Sequence, residues 1–130
     1  MEPGAVADRS PAKRRKKILI VEDDFLARWG VAEYLRETGF DVIEAVNTQE
    51  AMAILSARTA IDAVFCDGRL ISDAQGRDFS DWIARQQPPV PMLVGTQESR
   101  AAALMNVSPV RRLEILSAIE TELTQLIARG

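Results

Sequence analysis

Apolar and polar positions along this chain switch between two periods, and the switches mark out its elements. Ile18-Leu19-Ile20-Val21 is an unbroken apolar run of strand length, as expected for a strand buried on both faces. Phe25, Leu26, Trp29, Ala32 and Leu35 then recur at helical spacing, with Asp24 placed to cap the helix and Gly39 to stop it. Gly30 weakens that helix without breaking it. Residues 40–46 alternate as a second strand does. Asn47 and Glu50 have the spacing of a capping box, and Ala51, Ile54 and Leu55 make the inner face of a second helix.

The same alternation continues to the end. Ala63-Val64-Phe65-Cys66 is a third buried run, and Phe79, Trp82 and Ile83 mark a third helix that must finish before Pro88-Pro89. Met92, Leu93 and Val94 form a fourth strand, and Leu104, Met105 and Val107 suggest a short fifth. Ser108-Pro109 opens a last helix, whose Leu113, Leu116, Ile119, Leu123, Leu126 and Ile127 make the clearest amphipathic pattern in the chain. Strands alternating with helices predict an α/β domain over residues 17–130, a doubly wound five-stranded parallel sheet with helices on both faces. Residues 1–16, rich in Pro, Gly, Ala and charge, read as a flexible basic arm.

Composition narrows the chemistry. At 130 residues the chain can bury a core without staples, and its single cysteine, Cys66, lies in an apolar run, so no disulfide can form within it. No signal peptide or membrane-spanning run is evident, and a cytoplasmic location is expected. A net charge of −3 argues against general nucleic-acid affinity, although all three lysines fall within Lys13-Arg14-Arg15-Lys16-Lys17. That run suits a solvated arm, or contact with an acidic partner or a polyanion. There is no histidine, which removes histidine acid–base chemistry, histidine triads and histidine metal ligands.

The candidate chemistry is acidic. Glu22, Asp23 and Asp24 follow the first strand and Asp67 follows the third. Parallel strands deliver such residues to the carboxyl edge of the sheet, where open α/β folds place their ligand crevice. Crowded carboxylates raise one another's pKa unless a cation lies between them, and Mg²⁺ is the natural occupant of an all-oxygen site. Taken singly, each acid also reads as a strand-end turn residue or a helix cap.

The order of elements, with Val21-Glu22-Asp23 after strand one, Asp67 after strand three and Thr96 after strand four, resembles the receiver domain of bacterial two-component response regulators. The likeness runs from about residue 17 to 128 and implies the flavodoxin-like receiver fold. It implies that Glu22, Asp23 and Asp67 hold Mg²⁺ together with the main-chain carbonyl of Arg69. It further implies that Asp67 is the phospho-acceptor and Thr96 the switch hydroxyl. A histidine kinase or histidine phosphotransfer protein would be the phosphoryl donor.

Several positions depart from the family. The lysine expected at the end of strand five, before a proline, is Ser108, and no lysine follows Lys17. Arg69, Arg100, Arg111 or Arg112 would have to supply the positive charge. Met105 holds the usual aromatic switch position, and Ile71 stands where a proline is usual. Residues 97–103 are too few for a loop, a full helix and another loop, so the fourth helix is expected to be short or missing. Residues 91–96 also resemble the divergent receivers of bacterial general stress and light signalling.

Three functions compete. The first is a stand-alone receiver, not an enzyme, that accepts a phosphoryl group on Asp67 and signals by protein–protein contact, with no DNA-binding domain. The second is a pseudo-receiver that keeps the fold and acts without phosphorylation, which the missing lysine favours. The third is a Mg²⁺-dependent phosphohydrolase, for which Asp73 and Asp78 are the loosely placed general acids. With the fourth helix reduced, the last helix is free to expose apolar surface for a homodimer.

Overall fold

The computed structural model describes residues 14–57 and 60–129; residues 1–13 of the expected arm lie outside that range. Four strands, β1 (Lys17–Val21), β2 (Asp41–Ala45), β3 (Ala63–Asp67) and β4 (Met92–Gly95), form one parallel sheet in the order β2-β1-β3-β4. Five helices connect and cover them: α1 (Phe25–Glu37), α2 (Thr48–Ser56), α3 (Ala74–Ala84), α4 (Gln97–Ala103) and α5 (Pro109–Arg129). A 3-10 turn at Gly68–Ile71 follows β3.

The central strands bury both faces, which is why they read as continuous apolar runs. Ile18, Ile20, Ala63 and Phe65 point to the side covered by α1, α4 and α5, while Leu19, Val21, Val64 and Cys66 point to α2 and α3. Side-chain caps start the helices, Ser108 on α5 included. Asp24 accepts from Ala27 N at 3.0 Å, Asn47 from Glu50 N at 2.8 Å and Asp73 from Gly76 N at 2.8 Å, while Thr96 and Ser99 form a reciprocal capping box on α4. Gly39 ends α1 at φ 108°, a conformation open to glycine.

The structure adds to one expectation and corrects another. The inner face of α1 is Ala27, Val31, Ala32 and Leu35, with Gly30, while the bulky Phe25, Leu26 and Trp29 are exposed. Small residues face inward because α4 crosses closely there: a Cβ on Gly30 would sit 2.4 Å from the Ala103 carbonyl oxygen. The sheet, moreover, has four strands where five were expected. Residues 97–103 form a helix of seven residues, within the expectation that it be short or missing, and it is the fifth strand that is absent among the described residues.

The reason lies in how α4 ends. Met105 takes a left-handed conformation at φ 63°, its N–H bonds to Ala102 O at 3.1 Å and the Asn106 N–H to Ala101 O at 2.8 Å. This is a Schellman turn, and it uses the residues that would have formed a strand. Residues 104–108 then only bridge to α5. β4 is left at the sheet edge, with Val94 exposed. Helix α4 lies on the α1 and α5 side, where Ala102 and Ala103 join Ile115, Leu116, Ile119 and Leu123 in the core.

Candidate functional site

Strand register brings the acids together. Val21 lies beside Cys66 on the neighbouring strand, so the next residues, Glu22 and Asp67, emerge side by side at the carboxyl edge. Glu22 is anchored through its backbone: its N–H donates to Ala45 O at 3.0 Å and its carbonyl accepts from Arg28 Nη1 at 2.9 Å. Glu22, Asp23 and Asp67 each present a carboxylate oxygen within 4.8 Å of the others. Glu22 and Asp67 are buried, and Asp23 is exposed.

Burial sets the electrostatics. It pushes the Glu22 carboxyl up to about 7, helped by the Asp23 hydrogen bond and the Asp67 charge; the Asp24 N–H at 2.9 Å and Arg100 oppose it. Asp23 is held below the usual carboxylate range by its hydrogen bond with Glu22 and by Arg69. The Cys66 thiol beneath them is pushed up to about 12 by burial, which keeps it out of nucleophilic chemistry.

The side chain of Arg69 stands across all three acids. Its Nη2 lies 3.2 Å from Glu22 Oε2, 2.8 Å from Asp23 Oδ1 and 2.5 Å from Asp67 Oδ2. The contact with Asp67 is an ion pair without hydrogen-bond alignment, and Asp67 Oδ2 has no hydrogen-bond partner. The Arg69 carbonyl, expected to bind metal, accepts from Ser72 Oγ at 3.0 Å. Arg100 approaches from α4, with Nε 3.7 Å from Glu22 Oε1 and Nη2 3.4 Å from Asp24 Oδ2. A donor set of three carboxylates, one with an orphaned buried oxygen, fits a hard divalent cation such as Mg²⁺.

The other expected residues are placed differently. Thr96 follows Gly95, the register partner of Asp67, but its Oγ1 accepts from Ser99 N at 3.1 Å in the α4 cap. Ser108 follows no strand and accepts from Arg111 N at 3.1 Å at the start of α5. Met105 sits in the turn after α4, exposed. Asp73 caps α3 and Asp78 is exposed on that helix, so neither adjoins Asp67 in the cavity described next. A gap of about 10 Å³, room for about one water, is lined by Glu22, Asp67, Gly95, Ser99 and Arg100 above an apolar floor. Ser99 was not anticipated, and its only sequence signal is the Thr96-x-x-Ser99 spacing of a cap.

No helix among the described residues is long and apolar enough to cross a membrane. No curated protein sequence matches the chain. Among solved structures it is similar to the chemotaxis response regulator CheY4 of Vibrio cholerae, at 21% identity and a TM-score of 0.61, covering 84% of this chain and 98% of that one. It is also similar to the non-phosphorylated HemR receiver domain of Leptospira biflexa, at 26% identity and a TM-score of 0.60, covering 87% and 94%. The signal receiver domain of a histidine kinase from Syntrophus aciditrophicus aligns at 22% identity and a TM-score of 0.63, covering 87% and 90%. The family profile for the response regulator receiver domain matches residues 18–117, from β1 into α5, and with that span the chain belongs to the response regulator receiver family of two-component signalling.

Proposed function

We propose that this receiver accepts a phosphoryl group on Asp67 from a histidine kinase or histidine phosphotransfer protein, and that it works as a cytoplasmic switch through protein contacts. One observation carries the reading: a buried Asp67 carboxylate with an unpartnered oxygen lies within 4.8 Å of two further acids at the carboxyl ends of adjacent strands. That oxygen meets only the unaligned Arg69 guanidinium at 2.5 Å, and a buried carboxylate gains from a better-placed cation.

In the transfer, an Asp67 oxygen attacks the phosphorus of a phosphohistidine, a P–O bond forms and the P–N bond breaks. The electron pair leaves on the imidazole nitrogen, which takes up a proton. When bound to Glu22, Asp23, Asp67 and the Arg69 carbonyl, Mg²⁺ supplies positive charge between nucleophile and phosphoryl group. Arg69 cannot keep its guanidinium on the same three carboxylates beside a metal ion, so metal loading requires it to swing outward. Its exposed position permits that movement. Thr96, one residue beyond the register partner of Asp67, then exchanges its cap bond to Ser99 for a phosphoryl oxygen.

A second reading is favoured by Arg69 itself. A guanidinium touching Glu22, Asp23 and Asp67 neutralises the cluster without metal, as suits a pseudo-receiver acting through its fold alone. Incubation with Mg²⁺ and acetyl phosphate, followed by intact mass, separates the two. The first reading expects one added phosphoryl mass that is lost in Asp67→Asn. An unlabelled wild type that also fails to bind Mg²⁺ in calorimetry leaves the second.

A further inference from the structure

We propose that Arg100, reaching in from α4, binds the phosphoryl group on Asp67 and so replaces the charge that no lysine after Lys17 can supply. The inference rests on the phospho-acceptor reading above. Two buried polar atoms among the described residues lack a hydrogen-bond partner, Asp67 Oδ2 and Arg100 Nε. Both residues line the same gap of about 10 Å³, together with Glu22, Gly95 and Ser99. The Arg100 Nε–H is thus an unmet donor at the cavity that Asp67 also lines, and an oxyanion carried on Asp67 would meet it. A phosphoryl group adds roughly −1.5 to −2 charge and three acceptor oxygens, while the guanidinium offers planar donors suited to them.

The other arginines around the site are already engaged. Arg28 bonds Glu44 Oε1 at 3.0 Å and the Glu22 carbonyl at 2.9 Å. Arg111 pairs with Glu98 and Glu114, and Arg112 Nε donates to Ala102 O at 3.1 Å. Arg69 lies across the acids where a metal ion would stand. Arg100 has only the loose ion pairs to Glu22 and Asp24, at 3.7 and 3.4 Å, so releasing it breaks no aligned hydrogen bond.

The helix that carries it is fixed. Ala102 and Ala103 are buried, the Ala103 carbonyl abuts Gly30 and the Ala102 carbonyl accepts from Arg112. A gap sized for about one water does not admit a phosphoryl group, so the Arg100 side chain withdraws from Glu22 and Asp24 and closes on the new anion while the α4 backbone stays in place. A cationic side chain borne on α4 thereby does its work without a fifth strand.

Intact-mass labelling by acetyl phosphate and Mg²⁺, together with calorimetric Mg²⁺ titration, tests this on the full chain. Arg100→Ala is expected to label about tenfold more slowly or worse, the loss of a charge-assisted hydrogen bond. Arg100→Lys should recover part of the rate, and Arg111→Ala should label as wild type. Mg²⁺ should bind Arg100→Ala as tightly as wild type or more tightly, because a competing cation has gone. Far-UV circular dichroism and thermal melting of both Arg100 variants separate this effect from misfolding. Wild-type labelling in Arg100→Ala overturns the proposal, as does loss of Mg²⁺ binding in step with labelling. If wild type itself gains no adduct, the phospho-acceptor reading falls and takes this one with it. If wild type and Arg100→Ala label equally, that reading stands and only Arg100 is removed.

Discussion

The two halves of the sheet obey different constraints. On one side, β1 and β3 are buried on both faces and lead to Glu22, just after β1, and Asp67, the last residue of β3, with every residue from Ile18 to Val21 fully enclosed. On the other, β4 is an edge strand with Val94 exposed, followed by a short helix and a Schellman turn where the expected plan has a further strand. The acid cluster depends only on the register of two adjacent central strands, so it persists while the outer part of the sheet is rebuilt. The cations opposite the acids come from both sides, Arg69 from the turn after β3 and Arg100 from α4 beyond the edge strand.

The contrast can be broken at its stable end first. Ile20→Ala, in the middle of β1, should cost about 2–5 kcal/mol of folding free energy, whereas Val94→Ala on β4 should cost less than about 1 kcal/mol. Urea denaturation of both variants measures the difference, and similar costs would remove the distinction between centre and edge.

Next in size is the pH behaviour of Glu22. Its carboxyl is raised from 4.5 to about 7 in the folded protein, so the folded state holds a proton that the unfolded chain has released in that window. Stability from this group is therefore full below about pH 4.5 and is lost as pH rises through 7. In metal-free buffer with chelator, Glu22→Gln should be more stable than wild type at pH 8 by roughly 1–3 kcal/mol. That gain should vanish at pH 4.5, the ordinary carboxyl value. An equal difference at both pH values would place the effect in packing rather than in charge.

The smallest effect sharpens the account of the outer region. Met105 is the non-glycine residue in a left-handed conformation among those described, and it holds the position where Schellman turns favour glycine. Met105→Gly should stabilise the protein by about 1 kcal/mol, read as a rise in thermal midpoint. A fall would mean that the Met105 side chain has packing that its exposure does not suggest.

Much of the acid site was legible because its signal is local. An apolar run ending in an acid announces a buried strand with a carboxylate at its tip, and Ile18 to Asp23 and Ala63 to Asp67 both have that form. The helical spacing of α1 was legible, but which of its apolar residues are buried was not. Close approach to α4 instead selects Ala27 and Gly30, and nothing local in the sequence reports that approach. Leu104, Met105 and Val107 have strand-like composition, yet the bonds that end α4 claim them. The roles of Arg69 and Arg100 were equally out of reach, since four arginines were available and only packing separates them.

The α/β alternation, the buried central strands and the acids at their ends could be read from the chain alone, because each follows from periodicity and chain order within a few residues. Three-dimensional packing was needed to show that the sheet has four strands among the described residues, that α4 lies against α1, that Arg69 pairs with Asp67 and that Arg100 lines the same gap. Those outcomes depend on contacts between segments distant in the chain, where steric fit and charge pairing select among residues that look alike in sequence.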